Sequence, residues 1–324
     1  MAAASIHRPR LRLMGHRLAG VALATVASLV VVQAQDPPTF RTQARLVVLH
    51  ATVVNGRGEL VTNLDRDAFT IREDGQPQTI ALFGRDDVPV SVGILLDNSG
   101  SMRAKRQQVE AAALAFVRAS NPLDEVFVMN FADEPHLDVP FTSSVTQLEA
   151  GIGRADAIGG TAMRDAVDAA TDYLNAHATR DRRALLVMTD GLDNTSATPL
   201  DSIRRKLAHS EAVIFTVGLL ADESASRGAR ARHELEECAD MTGGHAYFPQ
   251  RLDDIHATML DVAQQLRSQY TLAYSPTNQR SDGAYRRIEV AARGAERLSV
   301  RTRAGYVASP DPAAVAASAR NHPR

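Results

Sequence analysis

The stretch Val90–Leu96 (VSVGILL) is apolar almost without interruption, the pattern of a strand buried on both faces of a sheet. From Val88 onward such runs alternate with amphipathic ones. Arg103–Ala119 places Val109, Ala113, Phe116 and Val117 on one helical stripe. Glu125–Phe131 reads as a strand and Val145–Ile152 as a short helix. Thr161–Ala176 reads as a helix with Val167, Ala170 and Leu174 in register. Then follow a strand at Ala184–Met188, a helix at Leu200–Ala208 and a strand at Val213–Leu219. A helix at His233–Ala239, a short edge strand at Ala246–Phe248 and a helix at Ile255–Leu266 complete the series. Strands alternating with helices at this spacing predict an α/β domain over 88–266, with a doubly wound, mainly parallel sheet.

The flanks follow a different period. Arg45–Val54 is rich in β-branched residues, Asn55–Gly58 forms a turn, and Glu59–Val61 resumes extended structure. Phe69–Arg72 alternates apolar and polar residues, Asp74-Gly75 turns the chain, and Thr79–Phe83 is expected to close a hairpin. After Arg267, three strands are expected at Tyr270–Tyr274, Tyr285–Ala291 and Leu298–Thr302. Neither 40–87 nor 267–308 has enough apolar residues for a core of its own. Together they predict one small antiparallel β-sandwich with the α/β domain inserted between its halves. The Ala- and Pro-rich segment 309–324 is expected to be a disordered tail.

The first residues change the compartment. Arg8, Arg10, Arg12 and Arg17 precede an apolar run from Leu18 to Val32, and Val32-Gln33-Ala34 presents small or aliphatic residues before a cut after Ala34. That is the layout of a secretory signal peptide over 1–34, and the run is short of the roughly 20 residues that span a bilayer. The chain is therefore expected to be exported, periplasmic or secreted, with no stable membrane span once the signal is removed. The whole chain carries a net charge of −2, and loss of the four signal-peptide arginines without any acid leaves the remainder at −6. Such a balance gives no electrostatic case for nucleic acid. Of 36 basic residues only Lys105 and Lys206 are lysine, which reads as a compositional bias. One cysteine, Cys238, allows neither an internal disulfide nor a cysteine-based zinc site.

Candidate chemistry lies where the predicted strands end, since ligands of open α/β sheets sit at the carboxyl ends of the strands. Asp97-Asn98-Ser99-Gly100-Ser101 follows the buried strand, Gly159-Gly160-Thr161 precedes a helix, and Thr189-Asp190-Gly191 follows another strand. Two carboxylates and three hydroxyls make an all-oxygen donor set, the kind that Mg²⁺, Mn²⁺ or Ca²⁺ takes. With so few charged ligands the ion would retain positive charge and an open coordination position. Each piece alone has a plainer reading: Ser101 and Thr161 as helix N-caps, Asp190-Gly191 as a turn.

Taken together and in this order, Asp97-x-Ser99-x-Ser101, Thr161 and Thr189-Asp190-Gly191 resemble the metal-ion-dependent adhesion site of von Willebrand factor A domains. The resemblance covers residues 88–266. The Gly159–Thr161 segment, the Asp190–Asn194 loop and the Phe69–Gly75 stretch ahead of the domain are similar to a bacterial exported branch of that family. The resemblance implies a Rossmann-like sheet, and a divalent-cation site made by Asp97, Ser99, Ser101, Thr161 and Asp190, with Mg²⁺, Mn²⁺ or Ca²⁺ as the ion. It further implies an adhesion module whose protein partner offers an Asp or Glu carboxylate to the metal. Asn98 departs modestly from the motif and leaves every ligand position intact.

Other features compete less well. Asn98–Ser101 does not fit a Gly-x-Ser-x-Gly nucleophile elbow, and the histidines stand in no motif context, so no enzymatic activity is expected. Phosphate-binding glycine motifs are absent from the sequence. Glu234, Glu236, Glu237 and Asp240 read as a solvated helix face in preference to a second cation site, and Cys238 among them as a small buried residue. Arg227–Arg232 reads as an exposed loop and helix start. The alternative function is a structural or assembly component in which the metal only stabilises the loops.

Overall fold

β1 (Val47–Asn55), rich in β-branched residues, buries Val47, Leu49, Ala51 and Val53 on one side. The structure, a computed structural model, describes residues 46–153 and 157–308, all within one compact unit. The expected signal peptide and tail lie outside the described residues. β2 (Phe69–Glu73) is followed by the Asp74-Gly75 turn, whose φ angles of 48° and 79° are left-handed. The hairpin is closed by β3 (Gln76–Gln78), not by Thr79–Phe83 as the pattern suggested. β4 (Ile80–Gly84) instead leaves for a second sheet.

The α/β part begins with β5 (Val90–Asp97), every residue of which is buried. A single-turn 3₁₀ segment at Gly100–Ala104 leads into α1 (Arg106–Ala119), then β6 (Glu125–Phe131) and β7 (Pro135–Thr142). α2 (Val145–Ile152), α3 (Met163–His177), β8 (Arg182–Thr189) and α4 (Leu200–His209) follow. β9 (Val213–Gly218), α5 (Ala225–Thr242), β10 (Ala246–Tyr247) and α6 (Asp254–Arg267) complete it. The six strands order as β10-β9-β8-β5-β6-β7, parallel except for β7 against β6. One face packs Val109 and Phe116 of α1 and Ile255 and Met259 of α6; the other packs Val167 and Leu174 of α3, Ile203 of α4 and Leu235 of α5. This is the doubly wound sheet the alternation predicts. No helix of the described residues is long and apolar enough to cross a membrane.

β11 (Tyr270–Tyr274), β12 (Tyr285–Ala292), β13 (Leu298–Arg301) and β14 (Gly305–Val307) return to the β unit. Two antiparallel four-stranded sheets result, β13-β1-β11-β4 and β14-β12-β2-β3. Each mixes strands from before and after the α/β part, and both contribute to one core containing Leu49, Ile71, Leu272, Tyr274 and Ile288. The sandwich is thus composite. Three details differ from the pattern-based expectation: β7 and β14 are additional, α5 is 18 residues long, and Thr161 lies ahead of α3.

Candidate metal centre

Asp97 is the last residue of β5 and Thr189 the last of β8, so the parallel sheet delivers two polar side chains side by side at its carboxyl edge. The Asp97 carboxylate accepts from the Ser99 backbone N–H at 2.8 Å through Oδ1, and from the Thr189 hydroxyl at 2.5 Å through Oδ2. The first bond curls the loop, because the side chain satisfies an amide two residues on. Ser99 and Ser101 then face the same way, their hydroxyl oxygens 3.0 Å apart. The Ser101 hydroxyl donates to Asp190 Oδ1 at 2.7 Å. Four of the five expected residues therefore form one connected cluster, and Asp97, Ser99 and Asp190 are each 2% exposed.

Thr161 reaches the same place through its loop. Gly100 N–H donates to the Gly159 carbonyl at 3.1 Å and Ile158 N–H to the Asn98 carbonyl at 2.9 Å, tying this loop to the first. Thr161 N–H donates to Asn194 Oδ1 at 2.9 Å, and Asp133 Oδ1 receives Gly160 N–H at 2.7 Å. A Cβ placed on Gly191 would lie 3.9 Å from the Thr161 hydroxyl oxygen, so that hydroxyl borders the Asp190-Gly191 loop. Gly159 has a φ of +94°, which requires glycine, and its Cβ would come within 2.5 Å of the Asp133 carboxylate; a Cβ on Gly160 would run into the Thr195 side chain. The N-cap reading of the two hydroxyls does not hold: Ser101 lies inside the 3₁₀ turn, and α3 starts two residues after Thr161 with no side-chain cap.

Burial pushes the Asp97 carboxyl up to about 6, against the opposing effect of the hydrogen bonds from Thr189 and Ser99. Among the described residues no group of three or more His, Cys, Asp or Glu side chains is placed to hold a metal. A cation at this edge would depend on hydroxyl oxygens as well as the two carboxylates, a donor set suited to a hard ion and unsuited to a soft one. The side-chain amide of Asn98, 3% exposed, makes no hydrogen bond among the described residues, which leaves a further oxygen and two donors buried beside the cluster.

One residue was not singled out in the sequence. Lys105 Nζ donates to Asp190 Oδ2 at 2.9 Å and lies 3.3 Å from Asp222. A signal did exist: Lys105 is one of two lysines among 36 basic residues, and both meet aspartates, Lys206 pairing with Asp168 and Asp172. The acidic group on α5 is not a solvated face throughout. Glu234 is 7% exposed and 3.7 Å from Arg164, and Glu237 pairs with Arg204. Arg227–Arg232 belong to α5 and not to a loop, and Arg232 lies over the Phe248 ring at 3.7 Å.

Residues 92–192, from β5 to just past Asp190, match the family model described as von Willebrand factor type A domain. No curated protein sequence matches the chain. Among solved structures, similarity extends to a von Willebrand factor type A protein from Catenulispora acidiphila, at 14% identity over 83% of this chain and 75% of that one, TM-score 0.49. The vWF domain of the type V pili tip protein Mfa5 from Porphyromonas gingivalis gives 16% identity over 56% and 95%, TM-score 0.48. Proximal thread matrix protein 1 from the mussel byssus, with a zinc-occupied MIDAS motif, gives 20% over 60% and 50%, TM-score 0.47. Over residues 92–192 the chain is thus similar to a von Willebrand factor type A domain.

Proposed function

We propose that Asp97, Ser99, Ser101, Thr161 and Asp190 hold a divalent cation, Mg²⁺ or else Mn²⁺ or Ca²⁺, and that the protein captures a partner protein whose Asp or Glu carboxylate completes the ion's coordination. The observation that carries this reading is the run from Asp97 through Ser99 and Ser101 to Asp190, buried except at the exposed Ser101 and joined by bonds of 2.8, 3.0 and 2.7 Å at the carboxyl edge of the sheet. Hydroxyl and carboxylate oxygens within hydrogen-bond reach of one another match what a hard cation requires. When bound, the ion would supply a Lewis-acid anchor for an external oxygen. Asp97 orients the first loop through Ser99 N–H, Thr189 holds Asp97, and Asp190 accepts from Ser101. No catalytic step is assigned to any residue. The reading places the protein outside the cytoplasm, periplasmic or secreted, on the strength of the basic and apolar pattern of residues 1–34.

The alternative, an ion that only stabilises the loops of a structural component, has less support. The three loops are already tied by Gly100 to Gly159, Ser101 to Asp190 and Asp97 to Thr189. The deciding experiment is a pull-down from extracytoplasmic extract in Mg²⁺ and again in EDTA, using the wild type, Asp97→Ala and Ser99→Ala. Capture is expected only for the wild type in Mg²⁺, with both variants still folded by circular dichroism. Capture that persists in EDTA and in both variants refutes the mechanism.

A further inference from the structure

Lys105 sits at the junction between the 3₁₀ turn carrying Ser101 and the first turn of α1, its backbone N–H donating to the Met102 carbonyl at 2.9 Å. Its side chain is only 10% exposed, and the Asp190 side chain it meets is 1% exposed. The two oxygens of Asp190 are therefore divided: Oδ1 accepts from the Ser101 hydroxyl at 2.7 Å, and Oδ2 from the Lys105 ammonium at 2.9 Å. The ammonium also approaches the Leu219 carbonyl at 3.5 Å and Asp222 at 3.3 Å, but Asp222 is 79% exposed and its charge is screened by solvent. Glu223, close by, pairs with Arg227 at 3.1 Å.

Charge within the buried cluster can thus be counted. Asp97 and Asp190 supply two negative charges and Lys105 one positive, so the cluster presents a single net negative charge to an incoming ion. We propose that Lys105 is a charge-setting residue of the cation site: it weakens uptake of the ion and leaves the bound divalent cation with one uncompensated positive charge, which selects an anionic oxygen from the partner. The proposal rests on the cation-site reading above. Without Lys105 the two carboxylates would neutralise a divalent ion, and an external carboxylate would meet no net attraction. A fixed charge a few ångströms from an ion, at the effective dielectric of about 20 found near protein surfaces, changes affinity by about tenfold or more.

The test uses the ions alone, by isothermal titration of the full-length protein with Mn²⁺ and with Tb³⁺. Lys105→Gln keeps a hydrogen-bonding side chain but removes the charge; Lys105→Arg keeps the charge. Lys105→Gln is expected to bind Mn²⁺ about tenfold tighter and to gain more for Tb³⁺ than for Mn²⁺, because the repulsion scales with the ion's charge. Lys105→Arg is expected to bind like the wild type. A purely structural lysine would not sort the ions by charge. Lys105→Met, which also removes the charge and keeps the apolar stem, serves if Lys105→Gln does not fold, and the same tighter, charge-sorted binding is expected of it. Equal or weaker Mn²⁺ binding by folded Lys105→Gln, or an equal gain for both ions, overturns the role of Lys105 alone. Failure of the wild type and Lys105→Gln alike to bind either ion overturns the cation site as well.

Discussion

His50 lies on the outer side of β1, lining a cavity of about 400 Å³ with Val48, Leu82 and Arg303 at the end of the sheet opposite the oxygen cluster. Burial, and then the guanidinium charges of Arg182 and Arg303, push its imidazole down to about 3. The folded state thus keeps His50 neutral at a pH where the unfolded chain protonates it, near 6.5. The unfolded state binds the extra proton, so this group's contribution to stability falls as pH drops below about 6.5 and goes on falling towards about 3. Between pH 7 and 5 the wild type is expected to lose up to about 2 kcal/mol that His50→Gln does not lose, read as the difference between their urea unfolding curves. The comparison matters because the raised carboxyl of Asp97 acts in the opposite direction. At this scale the motif residues were legible in the sequence because loop ends carry them at fixed spacing. Lys105 was not: four positions beyond Ser101, it belongs to no spacing rule, and only the packing of the 3₁₀ turn against the Asp190 loop brings its ammonium to Asp190.

Among the elements, β5 illustrates how little room the sheet leaves. Gly93 sits where a Cβ would run into the Phe127 ring and come within 2.7 Å of Leu185, side chains from the two flanking strands. Gly93→Ala is expected to destabilise the protein by about 1–3 kcal/mol through overpacking, measured as a shift in the denaturant midpoint with an unchanged slope. Buried elements of this sort were legible because continuous apolar runs and helical stripes survive in the bare sequence. β7 was not. Pro135 and Pro140 break its pattern, and it pairs only as an antiparallel edge strand, where proline is tolerated. α5 was read too short because Arg227–Arg232 resembles a solvated loop. In the structure those arginines lie on a helix, where Arg227 pairs with Glu223 and Arg232 with Glu236 and the Phe248 ring. The β4 crossing was also hidden, since strand periodicity says which face is buried but not which sheet receives the strand.

At the scale of the whole molecule, the two halves of the sandwich meet at a buried carboxylate. Glu73 of β2, 2% exposed, accepts from the Tyr274 hydroxyl at 2.6 Å and the Tyr306 hydroxyl at 3.0 Å, so one side chain joins the segments before and after the inserted domain. Replacing both tyrosines by phenylalanine leaves that carboxylate without these donors in an apolar core. The expected loss is about 3 kcal/mol or more, seen by equilibrium unfolding, while Tyr274→Phe alone costs less because Tyr306 remains. The insertion was legible from strand patterns on both sides of the α/β alternation, since neither flank had enough apolar residues to stand by itself.

That topology also orders events in time. β1 has β11 and β13 as its sheet neighbours, and β2 pairs with β12 as well as with its own short hairpin partner β3. β1 emerges from a ribosome or a translocation channel before its partners and must therefore wait, with an unpaired hydrophobic face exposed, until residue 270 and beyond have followed. The α/β part has its neighbours close at hand in the chain and can fold before then. Closing the sandwich afterwards joins strands whose separation has already been shortened by the folded insert, which lowers the entropic cost of a loop otherwise more than 200 residues long. Until that closure, the strands most in need of a chaperone or a partner are those of the first flank.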